Sequence, residues 1–110
     1  MSLIVENIVI ATDNEGFLQH LHDWNEQVAI AIAEAEGLQL EVAHWEIIHF
    51  LRQFYLEYQL TPAIRVLVKE LAKKLGDEKG NSIYLHQLFP GGPAKQASKI
   101  AGLPKPVRCI

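Results

Sequence analysis

The chain has a single thiol in 110 residues, and it sits second from the end. Cys109 closes the run Gly102-Leu103-Pro104-Lys105-Pro106-Val107-Arg108-Cys109-Ile110, in which Pro104 and Pro106 oppose helix formation. A free cysteine is ordinarily a small hydrophobe hidden in a core. A thiol at the tip of a stiff arm gives up that packing role and keeps its reactivity. Its thiolate attacks sulfur or carbon; Arg108 and Lys105 favour that form and the terminal carboxylate opposes it. In a solvated tail both influences are screened. The chemistry such a group suits is carriage of a covalently bound atom from one protein to another.

Other residue types that could do chemistry form no comparable pattern. His20 and His22 fall on different faces of a helix, His44 and His49 are five apart, and His86 is isolated. With one cysteine and no converging carboxylates, no metal site is expected. Glu46 and Glu57 lie three helical turns apart, too far for an acid–base pair. Gly91-Gly92 sits in a proline-flanked turn without a phosphate-loop pattern, so no cofactor is expected. Arg65, Lys69 and Lys73 recur at four-residue spacing, and Lys95 and Lys99 repeat it later. Such stripes read either as solvated faces or as a docking surface for RNA or an acidic protein. A basic helix after the Leu60-Thr61-Pro62 corner is also compatible with a helix-turn-helix, although no Arg/Asn/Gln set for reading bases opens it.

Composition bounds these readings. Hydrophobic residues make up 49% and charged residues 21%, an ordinary globular balance for one domain. The net charge of −3 argues against a general nucleic-acid binder. One cysteine cannot close an internal disulfide, and no apolar run approaches the ~20 residues needed to span a bilayer. The expected location is the cytoplasm.

The elements that must present the arm can be read in order. Leu3-Ile4-Val5 and Ile8-Val9-Ile10 flank Glu6-Asn7 as a tight hairpin. Asp23 and Glu26 resemble a capping box for a helix that Gly37 ends. Glu41 to Tyr58 forms the longest helix, apolar over most of its surface and expected at the centre of a bundle. Thr61-Pro62 reads as N-cap and first position of the next helix, with Ile64, Leu67, Val68, Leu71 and Leu75 as its apolar stripe. Asn81 or Ser82 caps a short helix, and Pro93 starts a last one that stops at Gly102. The expected fold is α+β, mainly α: residues 1–102 as one domain, and 103–110 as an arm. At ~3.1 Å per residue, Leu103 to Cys109 could reach roughly 20 Å.

These features together resemble the DsrC/TusE family of small sulfur-carrier proteins. The resemblance is carried by Leu88-Phe89-Pro90-Gly91-Gly92-Pro93-Ala94-Lys95-Gln96-Ala97, by Ile100-Ala101-Gly102-Leu103-Pro104-Lys105-Pro106, and by Cys109. His44-Trp45-Glu46, Phe54-Tyr55-Leu56-Glu57, Thr61-Pro62-Ala63-Ile64-Arg65 and Glu78-Lys79-Gly80-Asn81-Ser82 extend it. It implies a small antiparallel sheet on a helical array, a mobile arm, and Cys109 as the residue that carries sulfane sulfur as a persulfide. Members tied to sulfite reduction or sulfur oxidation carry a second cysteine at the position of Ser98, which points to the TusE-type branch. That branch implies a sulfurtransferase acting in a relay, not a stand-alone catalyst. It takes sulfur from a TusBCD-like donor complex and gives it to a MnmA-like tRNA 2-thiouridylase. Arg108 and Lys105 would steady the anionic persulfide. The alternatives are a DsrC-like partner of sulfite reductase or sulfur oxidation, and a helix-turn-helix regulator.

Overall fold

A hairpin, a helical array and a proline-containing exit follow one another in the computed structural model, which describes residues 1–106. Strands β1 (Ser2–Val5) and β2 (Ile8–Ala11) pair antiparallel with Leu3 opposite Ile10 and Ile4 opposite Val9. Glu6 and Asn7 turn the hairpin with φ of 50° and 67°, the left-handed pair that matches strand twist. A 3-10 turn over Leu21–Asp23 then leads into five helices: α1 (Glu26–Ala35), α2 (Val42–Tyr58), α3 (Ile64–Leu75), α4 (Ser82–Leu88) and α5 (Pro93–Ile100). This is the expected α+β, mainly α architecture.

Two helix starts differ from expectation. Asn25, not Asp23, caps α1, its side chain accepting from the Val28 N–H at 2.9 Å. Asp23 is consumed by the preceding 3-10 turn. Helix α3 begins at Ile64 with Ala63 as N-cap, two residues later than Thr61-Pro62 predicts. Thr61, Pro62 and Ala63 are all buried, so the corner turns its side chains into the core instead of capping. Elsewhere the local signals hold. Asn81 accepts from Ile83 and Tyr84 N–H groups to open α4, and Pro93 is at the start of α5. Gly37, at φ 76°, lets α1 close with Leu38 N–H bonded to Ala33 C=O at 2.8 Å.

The centre of the array is α5, not α2. It touches each of the other four helices, and Gln96 to Leu103 are all buried. The reason is size: Ala97, Ser98, Ala101 and Gly102 leave room for neighbouring backbones to come close. Helix α2 contributes Ile47, Ile48 and Leu51 to the core, yet leaves Val42, Leu56 and Tyr58 exposed. Leu67, Leu71, Leu85, Phe89 and Ile100 are fully buried with them. Each such side chain contributes about 1.5–3 kcal/mol through burial. The most deeply packed helix is thus the one from which the cysteine arm departs.

Candidate functional site

Cys109 and Arg108 lie outside the described residues, but the root of their arm does not. Helix α5 ends in a Schellman motif: Gly102 stands at φ 73°, its N–H bonds to Lys99 C=O at 3.1 Å, and Leu103 N–H bonds to Ser98 C=O at 3.0 Å. Two carbonyls remain, and long-range side chains take both. Trp24 Nε1–H donates to Ile100 C=O at 2.8 Å, and Arg52 Nη1–H donates to Ala101 C=O at 2.7 Å. The end of α5 therefore leaves no backbone carbonyl unpaired from Ala97 to Ala101.

Those two side chains also support each other. The Arg52 guanidinium lies 3.9 Å from the Trp24 ring centroid, a cation–π contact. Burial lowers the Arg52 pKa from its ordinary value, yet an arginine remains charged. A positive charge at the C-terminal end of α5 also complements the helix dipole.

Beyond the helix, Leu103, assigned to the arm on sequence, is 3% exposed and packs into the core. Pro104 and Lys105 are exposed, and Pro106 is half-buried. The Lys105 ammonium lies 2.6 Å from the Glu15 carboxylate, which Lys95 approaches at 3.6 Å. The Lys105 hydrogen bond, with the charges of Lys105 and Lys95, holds Glu15 below its ordinary carboxylate value against the opposing effect of desolvation. Asp13 shapes the turn carrying Glu15. Desolvation would raise its pKa, but the N–H groups of Phe17, Glu15 and Gly16 together prevail and lower it.

The expected basic residues separate into different environments. Arg65, Lys69 and Lys73 are exposed on one side of α3, with Lys73 paired to Glu70 at 3.3 Å. Lys95 is exposed. Lys99 is not on an open face: it is 9% exposed, its ammonium 3.3 Å from Glu36. It braces α5 against the end of α1, beside Gln96, which bonds Glu36 and the Gly91 N–H.

Ser98, wholly buried inside α5, has no hydrogen-bond partner for its hydroxyl. His44 is structural. Its Nδ1 accepts the Glu41 N–H at 3.1 Å, so Nε2 carries the proton and donates to Leu88 C=O at 2.9 Å. Glu46, read as a solvated residue, accepts two bonds from Lys79 at 2.7 and 2.9 Å. Among the described residues no cluster of His, Cys, Asp and Glu is arranged to hold a metal. None of their helices is long and apolar enough to cross a membrane. A groove of about 560 Å³ runs between α2 and α3, with Phe50, Phe54 and Tyr58 against Lys73 and Lys74.

Trp24, Arg52 and Glu15 escaped the sequence reading. One signal was available: Arg52 is the only Lys or Arg in α2.

Comparison with known proteins matches this architecture over its whole length. Residues 4–110 match the family described as DsrC like protein. The chain is 60% identical over 108 residues to Sulfurtransferase TusE of Salmonella choleraesuis (strain SC-B67), covering 98% of this chain and 99% of that one. It is 59% identical to Sulfurtransferase TusE of Escherichia coli (strain K12), with the same coverage. Among solved structures, the NMR structure of Allochromatium vinosum DsrC superimposes with a TM-score of 0.90 at 53% identity, covering 100% of both chains. The oxidized gamma-subunit of the dissimilatory sulfite reductase (DsrC) from Archaeoglobus fulgidus gives 0.84 at 39% identity, again over 100% of both. Sequence, fold and length agree: this chain belongs to the DsrC-like protein family.

Proposed function

We infer that the protein is a sulfurtransferase of the relay type, accepting sulfane sulfur as a persulfide on Cys109 and passing it on. The observation that carries this is the 60% identity, over almost the entire chain, to a sulfurtransferase named TusE. The chemistry agrees. Persulfide transfer is attack by one thiolate on sulfur held by another, governed by access, thiolate fraction and leaving group. A carrier needs one nucleophile within reach of two partners and no resolving thiol that would discharge it early. One cysteine at the end of a proline-containing arm meets those needs.

The donor in this reading is a TusBCD-like complex. The acceptor is a MnmA-like enzyme that thiolates the wobble uridine of tRNA at position 2, and the relay operates in the cytoplasm. Arg108 and Lys105 steady the persulfide anion. Arg65, Lys69, Lys73 and Lys95 offer docking charge, while Lys99 serves the scaffold. Pro104, Pro106 and Gly102 give the arm its reach and direction.

A DsrC-like role beside sulfite reductase is the second reading, favoured by the close superposition on the Allochromatium vinosum protein. Ser98 weighs against it, because a redox cycle between two arm sulfurs has no second sulfur here. A helix-turn-helix role is weaker still. The start of α3 presents Ala63, Ile64 and a single arginine, Arg65, which falls short of a base-reading set.

Incubation with a persulfide-charged TusBCD-like donor is expected to add one sulfur atom, read by intact mass. Cys109→Ser is expected to abolish the adduct; its retention would place the sulfur elsewhere.

A further inference from the structure

The root of the arm is held by more than a helix end requires. A Schellman turn alone would close α5 and leave water to solvate the last carbonyls. Here Trp24, 76 positions earlier, and Arg52, 49 positions earlier, reach across the fold to take Ile100 C=O and Ala101 C=O. Arg52 forms no ion pair among the described residues, so its charge is directed at the α5 terminus and the Trp24 ring. The indole in turn covers Gly102, where an added Cβ would lie 2.7 Å from Trp24 Cγ. Leu103 is then buried, and Lys105 meets Glu15 on the far side of Pro104. Residues 100 to 105 thus have their exit direction fixed from both sides.

We propose that Trp24 and Arg52 are positioning residues of sulfur transfer: they aim the arm's root so that Cys109 enters a docked partner. The proposal rests on the carrier reading above and adds which residues outside the arm serve it. Its physical basis is preorganisation. A tethered nucleophile reacts at a rate set by the fraction of tether conformations that point at the target. Fixing the root narrows that search without touching the thiol. Releasing it should leave reaction with a freely diffusing small molecule unchanged, because such a molecule finds the thiol in any direction.

The test compares wild-type protein with Arg52→Gln, Arg52→Lys and Trp24→Phe. Arg52→Gln removes the charge and the stacked plane, Arg52→Lys restores a charged donor, and Trp24→Phe removes the Nε1 donor while keeping a ring. Each is loaded at Cys109 with glutathione persulfide and then offered to a MnmA-like thiouridylase with tRNA and ATP. Loading rates are expected to be equal. Transfer by Arg52→Gln is expected to fall about tenfold in kcat with the acceptor KM unchanged, the scale of one lost charge-assisted hydrogen bond, and transfer by Trp24→Phe, which loses a neutral one, about threefold to tenfold. Arg52→Lys should recover part of it. Amide exchange at Gly102 and Leu103 should accelerate in Arg52→Gln while that of Ile48 in the core does not. Normal transfer by both Arg52→Gln and Trp24→Phe overturns the proposal and leaves the carrier reading standing. An equal loss toward glutathione persulfide also overturns it, since that marks general damage. Failure of wild-type protein to load at Cys109 overturns the carrier reading itself.

Discussion

Trp24 lies directly on Gly102, close enough that a Cβ there would sit 2.7 Å from the indole Cγ and 2.8 Å from its Cβ. Gly102 is also at φ 73°. Position 102 therefore excludes a side chain for two independent reasons, one conformational and one steric. The contact joins the segment before α1 to the point where the cysteine arm leaves α5.

Gly102→Ala should accordingly be costly. The left-handed conformation costs of order 1 kcal/mol for alanine, and displacing the indole adds about 1–3 kcal/mol. Urea denaturation is expected to show a loss of about 2–4 kcal/mol, accompanied by a change in Trp24 fluorescence in the native state. A variant as stable as wild type would mean that the indole moves aside freely.

The Lys105–Glu15 tether should weaken in acid. Glu15 is held below its ordinary value of 4.5, chiefly by the Lys105 hydrogen bond. A lowered folded value means the released form takes up a proton more readily. The tether is therefore intact above that ordinary value and is lost as pH falls through the folded one. The Lys105 amide resonance is expected to shift in that acid window and not near neutrality. Glu15→Gln should remove the shift, leaving only the smaller response of Asp13. A shift that persists at full size in Glu15→Gln would assign the tether elsewhere.

Ser98 presents a buried hydroxyl without a partner in the interior of a helix. Ser98→Ala removes the unpaired group and improves helix propensity, so it should be neutral or stabilise by about 1 kcal/mol. Ser98→Leu should destabilise by roughly 1–3 kcal/mol through overpacking at a wholly buried site. Thermal unfolding of the two variants checks both signs.

His44 ties the start of α2 to the end of α4 through both ring nitrogens. His44→Ala strands the Glu41 N–H and the Leu88 carbonyl and opens a cavity beside Phe89, whose ring meets the imidazole edge-on. A loss of about 2–4 kcal/mol is expected in chemical denaturation, with Cys109 loading preserved wherever the protein remains folded.

The parts of this structure that local chemistry determines were legible in the sequence. Glu6-Asn7 turns the hairpin, Asn81 opens α4, Pro93 starts α5, and Gly102 ends it, because each depends on backbone preferences within a few residues. Misreadings occurred where tertiary packing chose between adequate local options. Asn25 and Asp23 are both good caps, and the 3-10 turn took one of them. Thr61-Pro62 is a sound helix start, but burial of the corner overrode it. Leu103 looked like part of an extended arm because nothing local shows that the core reaches past Gly102. Lys99 belonged to a basic stripe until Glu36 on α1 claimed it. The contacts of Trp24 and Arg52 at the arm's root span 76 and 49 positions, so no local pattern could disclose them. Cys109 lies outside the described residues, and its proposed role rests on its type, its position and the family resemblance.

The most direct test of the account is a chase with labelled sulfur. Protein loaded at Cys109 with radioactive sulfur is separated from its donor, then mixed with a MnmA-like thiouridylase, tRNA and ATP. The account predicts that label leaves the protein in a single turnover and appears in 2-thiouridine, with none transferred by Cys109→Ser. Label that stays on the protein while tRNA acquires sulfur from another source would contradict it.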